Sequence, residues 1–242
     1  MAVEDREEAG VTEAERVDLR ALLPPVRDQG PRATCLAFAV TAAHEVARAV
    51  GLPVVEDLAE EVLYWGCKQI DGDRKPGSEF PSSATALARW GQPDEGLWPY
   101  DRTRDDTSAD YAPPPAALEP SICRHTRLQS IGATIPEIKR CLCQGRTVAL
   151  GLWLTRGFFT SSGGQIPAPE PHEARLEGHA VLVVGYDDGA RDGQGVLIVR
   201  NSWGTTWGDG GYGYLPYAHL ALGSEAWTIR FEERDQEVKV DQ

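Results

Sequence analysis

A single cysteine at the start of an apolar run is the feature of this chain with the clearest chemical meaning. The stretch QGPRATCLAFA at residues 29–39 passes from a turn-rich segment into a helical pattern, with Thr34 at the expected N-cap. Cys35 would then lie in the first helical turn, where free backbone N–H groups and the helix dipole lower the pKa of a thiol. The sequence therefore predicts a nucleophile at Cys35 and a base elsewhere in the chain.

His179 is the histidine best placed to be that base. It opens the predicted buried strand GHAVLVVGY at residues 178–186, which would hold its ring rigidly and let it face a cleft. Asn201 ends the next predicted strand, and two adjacent antiparallel strands would bring the two side chains together. We expect Asn201 to fix the second ring nitrogen of His179.

The other four histidines have no such setting. His44 lies on the same predicted helix as Cys35 but about 13 Å away, at a rise of ~1.5 Å per residue, and is interpreted as a packing or surface residue. His125, His172 and His219 stand near loops or element ends and are predicted to be solvated.

The pattern of the chain changes from helical to strand-like near its middle. Helices are predicted over residues 34–50, 57–67, 81–90 and 135–144, and strands over residues 148–154, 179–186 and 195–200. A polar and then Pro-rich stretch at 102–120 suggests a crossing between two lobes. The predicted domains are an acidic flexible lead (1–20), a helical lobe carrying the nucleophile (21–115), a β lobe carrying the histidine and asparagine (116–232) and a charged tail (233–242).

Composition excludes several classes of partner. A net charge of −13 argues against nucleic acid and against an anionic membrane surface. No apolar run is long enough to span a membrane, and the N-terminus has no signal-peptide core. Five cysteines form a poor disulfide framework and favour a reducing compartment, so we expect a cytoplasmic protein or one exported without a cleavable signal peptide. A mature fragment of a secreted precursor would have the same start.

Other site chemistries fit less well. A structural zinc ion takes four ligands, and four side chains of this chain could supply them: Cys123, His125, Cys141 and Cys143. However, Cys141 and Cys143 lie two apart on a predicted helix and face different directions. The acidic turns at 71–73 and 187–189 lack EF-hand spacing, and no Gly-x-Ser-x-Gly elbow is present. We therefore expect no metal and no cofactor.

Three blocks together resemble the papain-like (C1) cysteine peptidases. They are the stretches at 29–39 and 178–186 and the sequence NSWGTTWGDGGY at 201–212, which matches almost letter for letter. His179 follows Cys35 by 144 residues, within the roughly 130–150 residues typical of that family. The resemblance covers about residues 22–232. It implies an α+β, two-lobe fold, in which a helical N-terminal lobe packs on an antiparallel β-barrel-like C-terminal lobe and the site lies in the groove between them.

The resemblance also implies a role for each matching residue. Cys35 would be the thiolate nucleophile of an endopeptidase that works through an acyl-enzyme, and His179 its ion-pair partner and general acid/base. Asn201 would orient the imidazole and Trp203 would shield that hydrogen bond. The side chain of Gln29 and the backbone N–H of Cys35 would form the oxyanion hole.

A protein or peptide substrate is the implied partner. From the resemblance we expect five residues around the main substrate pocket: Phe80, Pro81, Gly151, Glu177 and Ala180. Gly77 and Ser78 stand where the family has a glycine pair that binds the substrate backbone. An apolar substrate side chain would fit most of them, whereas Glu177 would favour a basic one. The same machinery also serves acyl-transferring relatives (transpeptidases or amidases), and the fold alone could serve as a non-catalytic protein-binding module.

The chain departs from the family at informative positions. Arg32 stands where the family has a disulfide-forming cysteine, Ala33 replaces a glycine, and Gly178 stands where the family has an aspartate. The family's long inhibitory pro-segment is not expected here, because only about 20 residues precede the domain. Activity would then be restrained by an inhibitory or immunity protein, by a restricted substrate or by a larger precursor.

Overall fold

The computed structural model describes residues 14–49 and 55–229, and its first half is helical, as the apolar patterns predict. Three helices build this half: α1 (Cys35–Ala49), α2 (Glu60–Asp71) and α3 (Phe80–Arg89). Helix α2 begins later than predicted and ends at Gly72, whose φ of 67° suits a glycine. Single 3₁₀ turns cover Arg20–Leu22, Glu95–Leu97 and Pro115–Leu118.

The second half is an antiparallel sheet. The described strands are β1 (Arg16–Asp18), β2 (Leu128–Ile131), β3 (Val148–Trp153), β4 (Gly178–Asp187), β5 (Val196–Arg200), β6 (Tyr212–Pro216) and β7 (Ser224–Ile229). Their order is β2-β7-β3-β4-β5-β6, with β1 paired to β4. The helical segments between them are α4 (Ile135–Cys143), α5 (Arg156–Phe159), α6 (Ala190–Gly193) and a 3₁₀ helix (Tyr217–Leu222). The α+β class is confirmed. Within the described ranges no strand pairing closes the sheet, so the β-barrel-like lobe is an open sheet of hydrogen-bonded strands.

Helix α1 lies in the middle of the molecule, between the other helices and β4. Every residue from Leu36 to Val46 is buried, including polar side chains. One side-chain amide is hydrogen-bonded to both His44 and Thr41: Gln92 Oε1 pairs with His44 Nδ1 (2.9 Å) and Gln92 Nε2 donates to Thr41 Oγ1 (2.7 Å). The apolar core that surrounds α1 includes Ala180 of β4, so this packing brings the first turn of α1 to the first residues of β4.

Two expectations from the sequence are wrong. The flexible lead predicted for residues 1–20 contains a strand, because Arg16–Asp18 pairs antiparallel with β4 and places Val17 opposite Tyr186. His219 is fully buried rather than solvated, and its Nε2 lies 3.1 Å from the carbonyl oxygen of Trp153. Residues 1–13 and the predicted tail at 233–242 lie outside the described ranges.

Glu45 carries a carboxyl group into the core of α1. It is 2% exposed and accepts a hydrogen bond from the backbone N–H of Leu58 (3.0 Å). Burial disfavours the charged form and raises the pKa of Glu45 to about 7, although this hydrogen bond and the guanidinium groups of Arg27 and Arg200 oppose the rise. A carboxyl whose pKa is raised on folding stabilises the protein below its unfolded pKa, and this contribution is lost as pH rises through the folded value.

We therefore expect Glu45→Gln to become more stable relative to the wild type as pH rises from about 5 to about 8. Glutamine keeps the acceptor for Leu58 but has no charge to bury. The wild type loses about 1.4 kcal/mol of folding stability for each unit by which the pKa of Glu45 is raised, and the variant does not. Urea unfolding at both pH values measures the difference. Glu119→Gln, at an exposed position, is the matched control. A difference between Glu45→Gln and wild type that does not change with pH would contradict this account.

Candidate active site

Cys35 is the first residue of α1, and its free thiol is half-buried. It lines a cavity of about 390 Å³ together with His179. Thr34 precedes the helix as predicted, and its hydroxyl is hydrogen-bonded to the hydroxyl of Tyr100 (2.8 Å). The helix start therefore aims the thiol at the groove between helices and sheet, while the residue before it is tied to the helical half.

His179 and Asn201 are hydrogen-bonded at the sheet edge of this cavity. His179 Nε2 lies 2.8 Å from Asn201 Oδ1, and the same oxygen accepts from the backbone N–H of Ser202 (2.8 Å). Because Ser202 donates to this atom, it is the amide oxygen that faces the ring, and His179 Nε2 must be the donor. Nδ1 is thus the nitrogen left to accept a proton. The antiparallel pairing of β4 with β5 produces this geometry, since it sets the start of one strand beside the end of the other.

Aromatic rings cover the histidine. The ring centroid of Trp203 lies 4.9 Å from that of His179, and that of Phe158 lies 6.2 Å away. Phe159 stacks on Trp203 at 5.6 Å, and Trp207 meets it edge-on at 5.6 Å. This wall keeps water away from one side of the imidazole. The tryptophans belong to the asparagine block of the sequence, whereas the two phenylalanines come from α5 and carried no signal in the sequence.

Gln29 is buried, and both the oxygen and the nitrogen of its side-chain amide are hydrogen-bonded. Its Oε1 accepts from Ser202 Oγ (2.6 Å), and its Nε2 donates to the carbonyl oxygen of Arg32 (2.7 Å). The backbone N–H of Gln29 also donates to the carbonyl oxygen of Ser202 (2.8 Å). An amide nitrogen carries two hydrogens, so one remains after the bond to Arg32.

Burial dominates the electrostatics of the thiol and the imidazole. It raises the pKa of Cys35, opposed by backbone N–H groups of Ala180 and Leu36, and it lowers the pKa of His179, opposed by the hydrogen bond to Asn201. The helix start alone predicted a lowered thiol pKa; that direction is wrong for the folded protein, because loss of water outweighs the helix terminus. Both shifts favour a neutral thiol and a neutral imidazole.

Most of the predicted substrate-binding residues come together around this cavity. Those in its lining are Gly77, Ser78, Phe80, Gly151 and Ala180. The other two lie outside the lining. Pro81 is exposed in the first turn of α3, and the side chain of Glu177 is exposed before β4. The carboxylate of Glu177 still acts at a distance: its charge adds to the rise in the pKa of Cys35 and opposes the fall in the pKa of His179.

Several residues of the cavity were not predicted, and Glu225 is the most informative. It lies on β7 directly opposite Gly151 of β3. A Cβ atom on Gly151 would come within 3.0 Å of both Phe80 Cε2 and Glu225 Cγ, so glycine keeps the space between these two side chains open. Glu79, Trp153 and Ser224 also line the cavity. Glu225 comes to lie at the cavity because β3 pairs with β7, and no pattern in the sequence predicts that pairing.

The described part of the chain holds no cluster of three or more metal-ligating side chains, and no helix in it has the length and apolarity to cross a membrane. All five cysteines lie within the described ranges and are free thiols. The zinc ligand set considered from the sequence is therefore not assembled.

Comparisons with known proteins identify the family of this chain. A family model described as papain family cysteine protease matches residues 13–221. An uncharacterized peptidase C1-like protein of Acanthamoeba polyphaga mimivirus is 27% identical over 84% of this chain and 68% of its own length. Peptidase 1 of Dermatophagoides farinae is 31% identical over 82% of this chain and 60% of its own length. The chain thus spans roughly two thirds of these relatives.

A solved structure gives the same fold. Xylellain, a cysteine protease from Xylella fastidiosa, superposes with a TM-score of 0.75 at 26% identity, covering 91% of this chain and 87% of that one.

The reactivity of Cys35 should depend on His179. Transfer of the thiol proton to His179 would place opposite charges on two residues of one cavity, and their attraction opposes the shifts that burial causes. His179→Ala removes this attraction and leaves burial as the largest influence on the thiol pKa. We therefore expect alkylation of Cys35 by iodoacetamide to need a higher pH than in the wild type. Intact mass against time at several pH values measures this. His125→Ala, at an exposed site, should leave the profile unchanged, and identical profiles for His179→Ala and wild type would argue against any coupling.

Proposed function

This chain belongs to the papain family of cysteine proteases, and on that premise we propose that it is an endopeptidase that hydrolyses peptide bonds with Cys35 as its nucleophile. The observation that carries the proposal is the hydrogen bond from His179 Nε2 to Asn201 Oδ1 at the edge of the cavity that Cys35 lines. This bond leaves Nδ1 free to take the thiol proton.

The proposed reaction proceeds in two halves. Cys35 Sγ attacks the scissile carbonyl carbon while its proton passes to His179 Nδ1, and the tetrahedral intermediate collapses as the amine leaves with that proton. Water then attacks the thioester carbonyl, giving a proton to His179, and the acid is released as Sγ recovers the proton. Asn201 holds the ring in one tautomer throughout, and the wall around Trp203 limits competing water at the Nε2 bond.

The oxyanion of each tetrahedral intermediate needs donors that are already oriented. The backbone N–H of Cys35 lies in the first turn of α1, where N–H groups have no acceptor within the helix. The second hydrogen of Gln29 Nε2 is the other proposed donor. One such donor is typically worth ~3–4 kcal/mol of transition-state stabilisation.

Cys35→Ala should abolish cleavage of a denatured protein, because no other group in the proposed mechanism forms the thioester. An epoxysuccinyl thiol probe near neutral pH should add once to the wild type and not to Cys35→Ala, as seen by intact mass. Cys143→Ser is the matched control, since it removes an exposed cysteine on α4 and should keep both activity and the adduct.

Three outcomes separate the functions. Residual peptide cleavage in Cys35→Ala would overturn the proposed mechanism. Transfer of the acyl group to an added amine in preference to water would indicate an acyl-transferring relative. A wild type that neither cleaves nor takes up the probe would indicate a protein-binding module.

The cavity also suggests a preference for basic side chains. Its lining includes Glu79 and Glu225, and the side chain of Glu225 lies beside the opening that Gly151 leaves. A lysine or arginine side chain of the substrate would find an opposite charge there.

Glu225→Gln should therefore lower kcat/KM for substrates with a basic side chain in this cavity, by roughly 10-fold or more, and change it little for an apolar one. Glutamine keeps an acceptor for Trp227 Nε1, which lies 3.1 Å from Glu225 Oε2. A peptide library with the wild type, Glu225→Gln and the distant Glu119→Gln measures the preference. Equal losses on basic and apolar substrates would show that the carboxylate does not select charge.

A further inference from the structure

The loop from Gln29 to Cys35 carries two of the proposed catalytic groups, and its middle is held by a buried guanidinium. Arg32 is only 8% exposed. Its Nη1 and Nη2 donate to Glu61 Oε2 (2.8 Å) and Oε1 (2.7 Å), which is the two-pronged geometry of a strong arginine–carboxylate pair. Nη1 also donates to the carbonyl oxygen of Asp101 (2.9 Å), and Nε donates to Asp106 Oδ2 (3.2 Å).

The partner carboxylate is held as firmly. The side chain of Glu61, on α2, has no exposed surface. It accepts a further hydrogen bond from Tyr111 Oη (2.6 Å) and forms an ion pair with Arg104, whose Nη1 lies 2.9 Å from Oε2. The guanidinium carbon of Arg32 lies 4.9 Å from the ring centroid of Tyr100 and 5.9 Å from that of Tyr111. A buried carboxylate with these partners fixes the guanidinium in place.

The cluster formed by Arg32, Glu61 and Tyr100 is connected to the proposed oxyanion hole through the backbone. The carbonyl oxygen of Arg32 is the acceptor that holds Gln29 Nε2 (2.7 Å). Tyr100, which packs on the guanidinium, donates its hydroxyl to the carbonyl oxygen of Gln29 (2.7 Å) and pairs with Thr34 Oγ1 (2.8 Å). The residues on both sides of Arg32 are therefore tied to the same cluster.

We propose that Arg32, through its pair with Glu61, is a positioning residue that orients the Gln29 amide toward the oxyanion. The proposal rests on the proposed peptidase function. If the guanidinium shifts, the acceptor carbonyl of Arg32 shifts with it and the second hydrogen of Gln29 Nε2 turns away from the developing charge. Misplacement by about 1 Å is enough to cost up to about 10²-fold in rate.

Arg32→Lys and Glu61→Gln test the proposal with two substitutions of similar volume. Lysine at position 32 keeps the positive charge but cannot donate two parallel hydrogen bonds to the carboxylate. Glutamine at position 61 keeps a hydrogen-bond acceptor but not the negative charge. We expect kcat for a fluorogenic peptide amide to fall about 10- to 100-fold in each, with KM within about twofold of wild type. Alkylation of Cys35 by iodoacetamide displaces iodide at a saturated carbon and forms no oxyanion, so its rate should stay within about twofold.

A double-mutant cycle shows whether Arg32 acts through Gln29. In a Gln29→Ala background, Arg32→Lys should lower kcat no further, because the donor that it orients is already gone. Arg124→Lys is the matched control: Arg124 also donates from Nε and Nη2 to one carboxylate, that of Glu56 (3.3 and 3.0 Å), away from the loop. Its kcat should be unchanged.

Failure of the positioning role of Arg32 can be distinguished from failure of the proposed peptidase function. A wild type without peptidase activity would remove the premise before any variant is made. With an active wild type, the positioning role is overturned if kcat and iodoacetamide reactivity fall together, if neither changes, or if the losses from Gln29→Ala and Arg32→Lys simply multiply. If Arg32→Lys does not fold, the same measurements on Glu61→Gln decide the matter.

Discussion

The packing of helix α1 against strand β4 is the contact on which the rest of the site depends. Cys35 comes from the first turn of one element and His179 from the first residues of the other, and neither could reach the cavity if these elements slid past each other. The contact is largely apolar, and residues 36–46 of α1 are buried. Close packing of this kind resists small displacements, which is the property a two-residue chemical site requires.

The sequence predicted the parts of this arrangement that are written in continuous patterns. Helix α1 and strands β3, β4 and β5 follow apolar runs, and the three blocks around Cys35, His179 and Asn201 are local in sequence. The hydrogen bond between His179 and Asn201 followed from the expectation that two neighbouring strands are antiparallel, and it is present at 2.8 Å.

What the sequence did not predict depends on partners far apart along the chain. Glu225 faces Gly151 only because β7 pairs with β3, and the pair of Arg32 with Glu61 joins a loop to a helix. The direction of the Cys35 pKa was missed for a related reason: a helix start is visible in sequence, but the burial that outweighs it is a property of the assembled lobes. Arg32 itself was visible only as a departure from a family pattern, without a partner.

The pairing of β1 with β4 limits how far the two halves of this molecule can be treated as separate modules. Residues 16–18 complete the sheet that holds His179, yet the whole helical half lies between them and that strand in the chain. Closing so long a loop costs more chain entropy than a local contact does. The sheet and the helices are therefore interlaced by chain order, and exchanging one half for that of a relative would require carrying the first strand with the last ones.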